Sequence, residues 1–153
     1  MLSSYPAQYT KDDGTPQKRW SDVTTTLSDI DTRELHYVKV PENHIVIDFD
    51  LKDDDGNKDL EKNLEAASLW PETYTEVSKS GEGVHLHYIY DGDVSQLSNV
   101  YSEGIEVKVY KGNSSLRRKL TKCNDHEVSS ITGGLPLKEK KVIEERTIRA
   151  RRD

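Results

Sequence analysis

Three segments of the chain alternate apolar and polar residues with a period of two, which is the pattern of a β-strand that buries one face. They span residues 45–51 (IVIDFDL), 84–90 (VHLHYIY) and 105–110 (IEVKVY). In each segment the apolar side chains share one face and leave reactive groups on the other: two aspartates, two histidines, or a glutamate with a lysine. The pattern predicts three strands whose polar faces converge if the strands are neighbours in one sheet.

Weaker patterns predict the remaining elements. Residues 59–70 place their apolar side chains on one helical face, and Pro71 ends this helix. The turn at 41–43 is expected to join a strand at residues 35–40 to the strand at residues 45–51 as a β-hairpin. Further strands are predicted at residues 35–40, 73–77 and 127–131.

The length of 153 residues fits one domain. We expect an α/β domain of the α+β type, with a mixed or antiparallel central sheet. Its predicted parts are an N-terminal arm and helical segment (1–36), a core (37–138) and a basic C-terminal helix or tail (139–153).

Charge is distributed unevenly along the chain. Residues 1–107 carry 9 Lys and Arg against 22 Asp and Glu, whereas residues 108–153 carry 13 against 6. A basic stripe of this kind can follow the phosphates of a nucleic acid. A solvated helix face would have a similar composition, and we favour that interpretation for the C-terminal end.

The composition also bears on the compartment. The chain contains no apolar run of the roughly 20 residues that a membrane span requires, and its first residues lack the apolar segment of a signal peptide. Cys123 is the one cysteine, which excludes an internal disulfide and a zinc site with several thiolates. These features predict a cytoplasmic protein that does not bind a membrane.

Asp48 and Asp50 project from the same face of the first alternating segment. Burying two unpaired anions beside a hydrophobic run is costly, so we expect a divalent cation such as Mg²⁺ or Mn²⁺ to compensate them. The alternative is a half-exposed strand whose acids face water. Glu106 would add a third carboxylate, and two bridged cations can align the oxygens of an in-line nucleotidyl transfer.

A glycine turn precedes the histidine segment. Ser80, Gly81 and Gly83 could bring a hydroxyl and backbone N–H groups close to a triphosphate, and His85 would add another donor. A histidine pair is more often structural than functional. The adjacent glycine turn favours a binding role here.

These motifs, in this order, resemble those of the archaeo-eukaryotic primase superfamily, in particular the primase-polymerase domains of phage and plasmid replication proteins. The motifs are residues 47–50 (IDFD), 80–85 (SGEGVH) and 105–106 (IE). The resemblance covers about residues 40–140 and implies the primase catalytic fold with its RNA-recognition-like half. Glu106 departs from the pattern, because the third motif more often ends in aspartate.

The resemblance implies template-directed nucleotidyl transfer by a DNA primase or polymerase. Asp48, Asp50 and Glu106 would hold the catalytic Mg²⁺ or Mn²⁺ ions, while His85 and Ser80, with the turn glycines, would hold the nucleotide. The implied partners are single-stranded DNA, nucleoside triphosphates and a replicative helicase or other replication protein, in the host cytoplasm if the chain is phage-encoded. No motif fixes the further candidates, which are Lys108 for phosphate and Arg117, Arg118 and Lys119 for the template.

Two other functions are left open by the residues. The Glu-x-Lys spacing of Glu106 and Lys108, with Asp50 upstream, also suits a metal-dependent nuclease in which the lysine assists the attacking water. That chemistry has no use for an Asp-x-Asp pair followed by a glycine turn and a histidine. The third possibility is a catalytically inactive nucleic-acid or nucleotide-binding module of the same fold, which the acidic first two thirds of the chain favours.

Overall fold

The computed structural model describes residues 1–138, which form nine β-strands and one α-helix and confirm the α+β class. The helix is α1 (Leu60–Ala67), and the strands are β1 (Ala7–Tyr9), β2 (His36–Val38), β3 (His44–Phe49), β4 (Thr75–Val77), β5 (Val84–Tyr90), β6 (Val100–Ser102), β7 (Ile105–Lys108), β8 (Leu116–Arg118) and β9 (Ser129–Ile131). No helix within residues 1–138 is long and apolar enough to cross a membrane. The basic helix or tail predicted at 139–153 lies outside the described residues.

β3 is the central strand of the larger sheet because both of its edges are paired. The strand order is β4–β5–β3–β7–β6, and β9 pairs with the second half of β5. The β5–β9 pairing is parallel, and the other pairings in this sheet are antiparallel. The three alternating segments predicted from the sequence are therefore adjacent strands of a mixed sheet.

One face of the larger sheet forms the main hydrophobic core. Ile45, Ile47 and Phe49 of β3 have no exposed surface and pack with apolar side chains of β5, β7 and α1. The apolar faces that alternation predicts are thus the buried ones. Complete burial of such side chains stabilises the fold by about 1.5–3 kcal/mol each, so β3 is anchored firmly.

A smaller sheet, in the order β1–β2–β8, lies on the other face of β3. Val46 packs there with Val38 and Leu116. The predicted hairpin between residues 35–40 and β3 is wrong, because β5 and β7 occupy both edges of β3 and β2 pairs instead with β1 and β8. β1 lies in the stretch predicted as an N-terminal arm and helical segment (1–36), so part of this stretch is a strand of the second layer.

α1 is shorter than the predicted helix. Asp59 caps its first turn by accepting the N–H of Lys62 at 3.1 Å, and the helix ends at Ala67. Trp70 precedes a proline, which disfavours helical geometry at that position. Its ring instead packs edge-on against Phe49, with the ring centroids 5.9 Å apart.

Asn63 of α1 links the helix to the end of β3 and to the glycine turn. Its side chain is fully buried, and its Oδ1 accepts the N–H of Leu51 at 2.7 Å. Its Nδ2 donates to the carbonyl of Glu82 at 2.9 Å. Because a buried amide is costly unless it is hydrogen-bonded, this pair of bonds fixes the two segments relative to each other.

Candidate functional site

One row of register partners crosses four adjacent strands of the larger sheet with an ionisable side chain at every position. Glu76 of β4 lies opposite His85 of β5, His85 lies opposite Asp48 of β3, and Asp48 lies opposite Glu106 of β7. Directly opposed residues of adjacent strands point to the same face with Cβ atoms about 4.5–5.5 Å apart. The structure therefore brings together Asp48, His85 and Glu106, which are separated in the sequence.

This row lies at the margin of the smaller sheet. Val46, two residues before Asp48 on the same face of β3, is covered by the second layer and is 1% exposed. The Asp48 side chain is 20% exposed. The second layer thus buries the Glu76 end of the row, whereas Asp48 stays partly accessible and Glu106 is exposed.

Asp48 is held by two cationic groups. Its Oδ1 lies 3.3 Å from His85 Nε2, and its Oδ2 lies 3.1 Å from Lys108 Nζ. Burial alone would raise the pKa of this carboxyl, but the contacts with His85 and Lys108 outweigh burial and lower the pKa below its ordinary value. Asp48 is therefore an ionised carboxylate at neutral pH.

His85 lies between two carboxylates. Its Nε2 faces Asp48, and its Nδ1 lies 3.5 Å from Glu76 Oε2, without hydrogen-bond alignment. Burial lowers the pKa of an imidazole, but here the two carboxylates outweigh burial and raise the pKa of His85 to about 9. At neutral pH the ring is protonated, which suits it to donate to an anionic ligand.

Glu76 is a buried residue of the site that the sequence interpretation missed. Its side chain is 2% exposed, and its Oε1 lies 2.7 Å from Arg118 Nη1 and 3.2 Å from His87 Nε2. Burial opposes its ionisation, yet the neighbouring His87, His85 and Arg118 hold its pKa well below the usual range. The alternation of Tyr74 and Glu76 in the segment 73–77 was the available signal that Glu76 faces inward.

Arg118 is placed differently from the predicted template contact. Because β8 alternates, Arg118 points between the two sheets and is 6% exposed, whereas Arg117 and Lys119 are exposed. Its Nη1 donates to Glu76, and its Nε donates to His36 Nε2 at 2.8 Å. The guanidinium therefore ties the second layer to Glu76, which leaves Arg117 and Lys119 as the template candidates.

Basic side chains converge on a cavity of about 310 Å³ beside the row, which we call the cationic cavity. It is lined by Lys58, Lys79, Lys108, Arg117, Arg118 and Lys119, together with Asp48, Asp50, Glu76, Ser78, Ser80, Gly83 and His85. Several convergent cations and a hydroxyl are the groups that bind a phosphate chain. The predicted nucleotide-binding residues Ser80, Gly83, His85 and Lys108 line this cavity, and Gly81 does not.

The glycine turn shapes the cavity wall and does not offer its glycine amides to a ligand. The N–H of Gly81 donates to the Ser78 carbonyl at 2.9 Å, and the N–H of Gly83 donates to Ser78 Oγ at 3.0 Å. A side chain at Gly83 would meet Ser78 Oγ at 2.9 Å. Gly81 and Gly83 therefore serve the tightness of the turn, because their N–H groups are already used. Ser78 and Ser80, whose hydroxyl oxygens lie 3.0 Å apart, both line the cavity.

A second cavity of about 460 Å³ adjoins the first, and we call it the acidic cavity. It shares Asp48 and Asp50 with the cationic cavity and is lined further by Leu51, Lys52, Asp53, Lys62, Glu103, Gly104 and Glu106. Asp50 Oδ1 is a buried atom without a hydrogen-bond partner among residues 1–138. Carboxylate oxygens of this kind suit Mg²⁺ or Mn²⁺, so the donor set fits the predicted cation.

The metal ligands are nevertheless not assembled. Within the described part of the chain, no three His, Cys, Asp or Glu side chains form a ready metal-binding group. Asp48 is engaged by Lys108 and His85, and Glu106 is exposed on the strand beside it. Glu106 is exposed and lies directly opposite Asp48 on the same face of the sheet, so packing does not bury its carboxylate.

Comparison with known proteins does not assign the chain to a family. No protein-family model and no curated protein matches the chain. The chemistry of the site is therefore inferred from its residues, and its main feature is a cationic cavity and an acidic cavity that share Asp48 and Asp50.

Three histidines are buried outside these cavities. His44 Nε2 and His87 Nδ1 are 2.8 Å apart, and His36 contacts Arg118, and none of the three is exposed. Burial lowers the pKa of all three rings, that of His44 to about 3. They are neutral in the folded protein at neutral pH.

Acidification is therefore expected to destabilise the fold below about pH 6.5, where histidines of the unfolded chain become protonated. The unfolded state then binds more protons than the folded state, so the stability present above this pH is lost as the pH falls. His85 offsets a small part of this loss. Its pKa is raised in the folded chain, so its contribution to stability increases as the pH falls toward the pKa of the unfolded chain. Urea unfolding at about pH 7, 6 and 5 should show a falling midpoint, before most carboxylates titrate. A constant midpoint would contradict the neutral state of these rings.

Proposed function

We propose that the chain catalyses template-directed, metal-dependent nucleotidyl transfer, as a DNA primase or primer-extending polymerase. The observation that supports this most is that the acidic cavity and the cationic cavity share Asp48 and Asp50. A cation bound on one side and a triphosphate on the other would meet at these two carboxylates. The order of the three motifs in the sequence supports the same proposal.

In the proposed reaction, Asp48, Asp50 and Glu106 would hold Mg²⁺ or Mn²⁺. Such a cation would lower the pKa of a 3′-hydroxyl and neutralise charge on the phosphates. The protonated ring of His85 borders the cationic cavity, and its Nε2, which faces Asp48 in this structure, would donate to a phosphate oxygen once a cation occupies Asp48. Ser80 contributes its hydroxyl at the same cavity.

The macromolecular partners belong to the same proposal. Arg117 and Lys119 are exposed at the rim of the cationic cavity and would contact the phosphates of a single-stranded DNA template. A replicative helicase or other replication protein is a proposed partner on the basis of the motif order alone. The proposed location is the cytoplasm.

The incorporation of labelled nucleotides on single-stranded DNA tests this function directly, with Mg²⁺ or Mn²⁺ and with or without a primer. We expect incorporation that requires metal, template and nucleoside triphosphates. Cleavage of the DNA without nucleotides would favour the nuclease that uses Asp50, Glu106 and Lys108. DNA binding without incorporation or cleavage would favour the inactive binding module.

His85→Gln is expected to raise the KM for the nucleotide by about tenfold to a hundredfold, since a hydrogen bond to a charged group is worth about 1.5–3 kcal/mol. The fall in kcat should be smaller, because the proposed contact is already made in the ground state. Steady-state kinetics of incorporation measures both quantities. An unchanged KM would remove His85 from the nucleotide site.

A further inference from the structure

Two lysines form ion pairs with Asp48 and Asp50. Lys108 Nζ lies 3.1 Å from Asp48 Oδ2, and Lys58 Nζ lies 3.8 Å from Asp50 Oδ1. Both lysines also line the cationic cavity. Their side chains are 45% and 43% exposed, so packing does not lock either ammonium in place.

The backbone of Lys58 is positioned beside Asp50 by an ordered turn. Asp53 Oδ1 accepts the N–H groups of Asp55 and Asn57, each at 2.9 Å, and a bridge pairs Lys52 with Lys58. This turn folds the acidic stretch back on itself and returns the chain to the end of β3. The backbone of Lys58 is thus held in place by the turn, while its partly exposed side chain extends to Asp50.

A carboxylate oxygen that binds a divalent cation closely cannot also keep an ammonium at contact distance without strong repulsion between the two cations. An incoming cation would therefore displace Lys58 from Asp50 and Lys108 from Asp48. The displaced ammonium groups would remain inside the cationic cavity, where a phosphate chain is the complementary partner.

Building on the proposed function, we propose that Lys58 is a second phosphate-binding lysine and that Lys58 and Lys108 contact phosphate after a divalent cation has replaced them on Asp50 and Asp48. The two lysines then have opposite effects on the two ligands. They compete with the cation for the carboxylates, and they strengthen binding of the phosphate chain. Cation and triphosphate binding become positively coupled, and the coupling is reciprocal.

The proposed replacement of the lysines by a cation on Asp48 and Asp50, which we call the exchange, can be tested by calorimetric titration of the full chain. The chain is titrated first with Mn²⁺ alone and then with a preformed Mn²⁺–tripolyphosphate complex. Lys58→Met and Lys108→Met should each bind Mn²⁺ more tightly, by about tenfold, within the usual range of coupling between sites. The same variants should bind the tripolyphosphate complex more weakly than the unmodified chain. Tighter binding of Mn²⁺ together with weaker binding of the tripolyphosphate complex is not expected if the two lysines have a purely structural role.

Lys79→Met is the matched control. Lys79 lines the same cavity, but among residues 1–138 it forms no ion pair with Asp48 or Asp50. Its loss should weaken tripolyphosphate binding with a much smaller change in the affinity for Mn²⁺. Unchanged or weaker Mn²⁺ binding by both Lys58→Met and Lys108→Met would overturn the exchange.

Asp48→Asn separates this inference from the proposed function. If the unmodified chain binds Mn²⁺ and Asp48→Asn does not, the metal site stands, and failure of the lysine variants overturns the exchange alone. If the unmodified chain does not bind Mn²⁺, with or without tripolyphosphate, both the metal site and the exchange are overturned. Thermal unfolding of each variant checks that the fold is retained.

Discussion

Asp48→Asn is expected to reduce nucleotide incorporation by at least about a thousandfold, equivalent to about 4 kcal/mol of lost transition-state stabilisation. Asn keeps the size of the side chain but removes the charge that both cavities share. It also removes the anion that faces His85 and Lys108. Primer extension with labelled nucleotides measures the loss, and thermal unfolding checks the fold.

Asp54→Asn is the matched control for this result. Asp54 is exposed on the turn that follows β3 and lines neither cavity. The same change of charge at Asp54 should leave incorporation within about twofold, since an exposed charge at a distance is largely screened by salt. Equal losses in the two variants would point to net charge instead of the site, and full activity of Asp48→Asn would contradict the proposed chemistry.

Glu76→Gln is expected to lower the free energy of unfolding by about 3–5 kcal/mol, the usual cost of removing one partner from a buried ion pair. Arg118 would remain buried without its anion, and His85 would lose one of the two carboxylates that raise its pKa. Urea unfolding at neutral pH measures the change. A loss below about 1 kcal/mol would mean that water or another side chain compensates Arg118.

Two further variants sharpen this measurement. Glu72→Gln breaks an exposed pair with His126, in which the Glu72 side chain is 84% exposed, and should cost at most about 1 kcal/mol. Glu76→Met combined with Arg118→Met leaves no uncompensated charge and should recover much of the stability. Recovery in the double variant would identify the buried, unpaired Arg118 charge as the cause of the lower free energy of unfolding in Glu76→Gln.

The three alternating segments were predictable because a period of two reports which face of a strand is buried. The alternation at 45–51 identified Ile45, Ile47 and Phe49 as core residues and left Asp48 on the other face. The same logic placed His85 with Asp48 once the strands were taken as neighbours. The register of β5, β3 and β7 confirms that these polar faces meet.

The second layer was not predictable from such patterns. β1 and β8 have three residues each, which is too short for a periodic signal. β2 lies within the strand predicted at residues 35–40, but its pairing with β8 joins residues about 80 positions apart and leaves no local signal. The buried contact of Glu76 with Arg118 depends on that pairing. A basic run in the sequence therefore suggested a surface at Arg118, whereas the fold turns it inward.

Local hydrogen bonding explains a further difference between the sequence and the structure at the glycine turn. Glycines before a histidine suggested free N–H groups for a phosphate chain, but the amides of Gly81 and Gly83 donate to Ser78. Only the folded turn reveals this use. Lys58 was also missed, because an ordered turn, and not proximity in the sequence, brings it to Asp50.

The most direct test of the metal site is the position of Mn²⁺ in crystals of the full chain, located by anomalous diffraction. We expect a peak about 2 Å from carboxylate oxygens of Asp48 and Asp50, with Glu106 rotated toward it. The peak should disappear in Asp48→Asn crystals grown under the same conditions. Mn²⁺ bound only elsewhere, for example at the turn of Asp53 to Asp55, or no bound Mn²⁺ at all, would contradict a shared cation between β3 and β7.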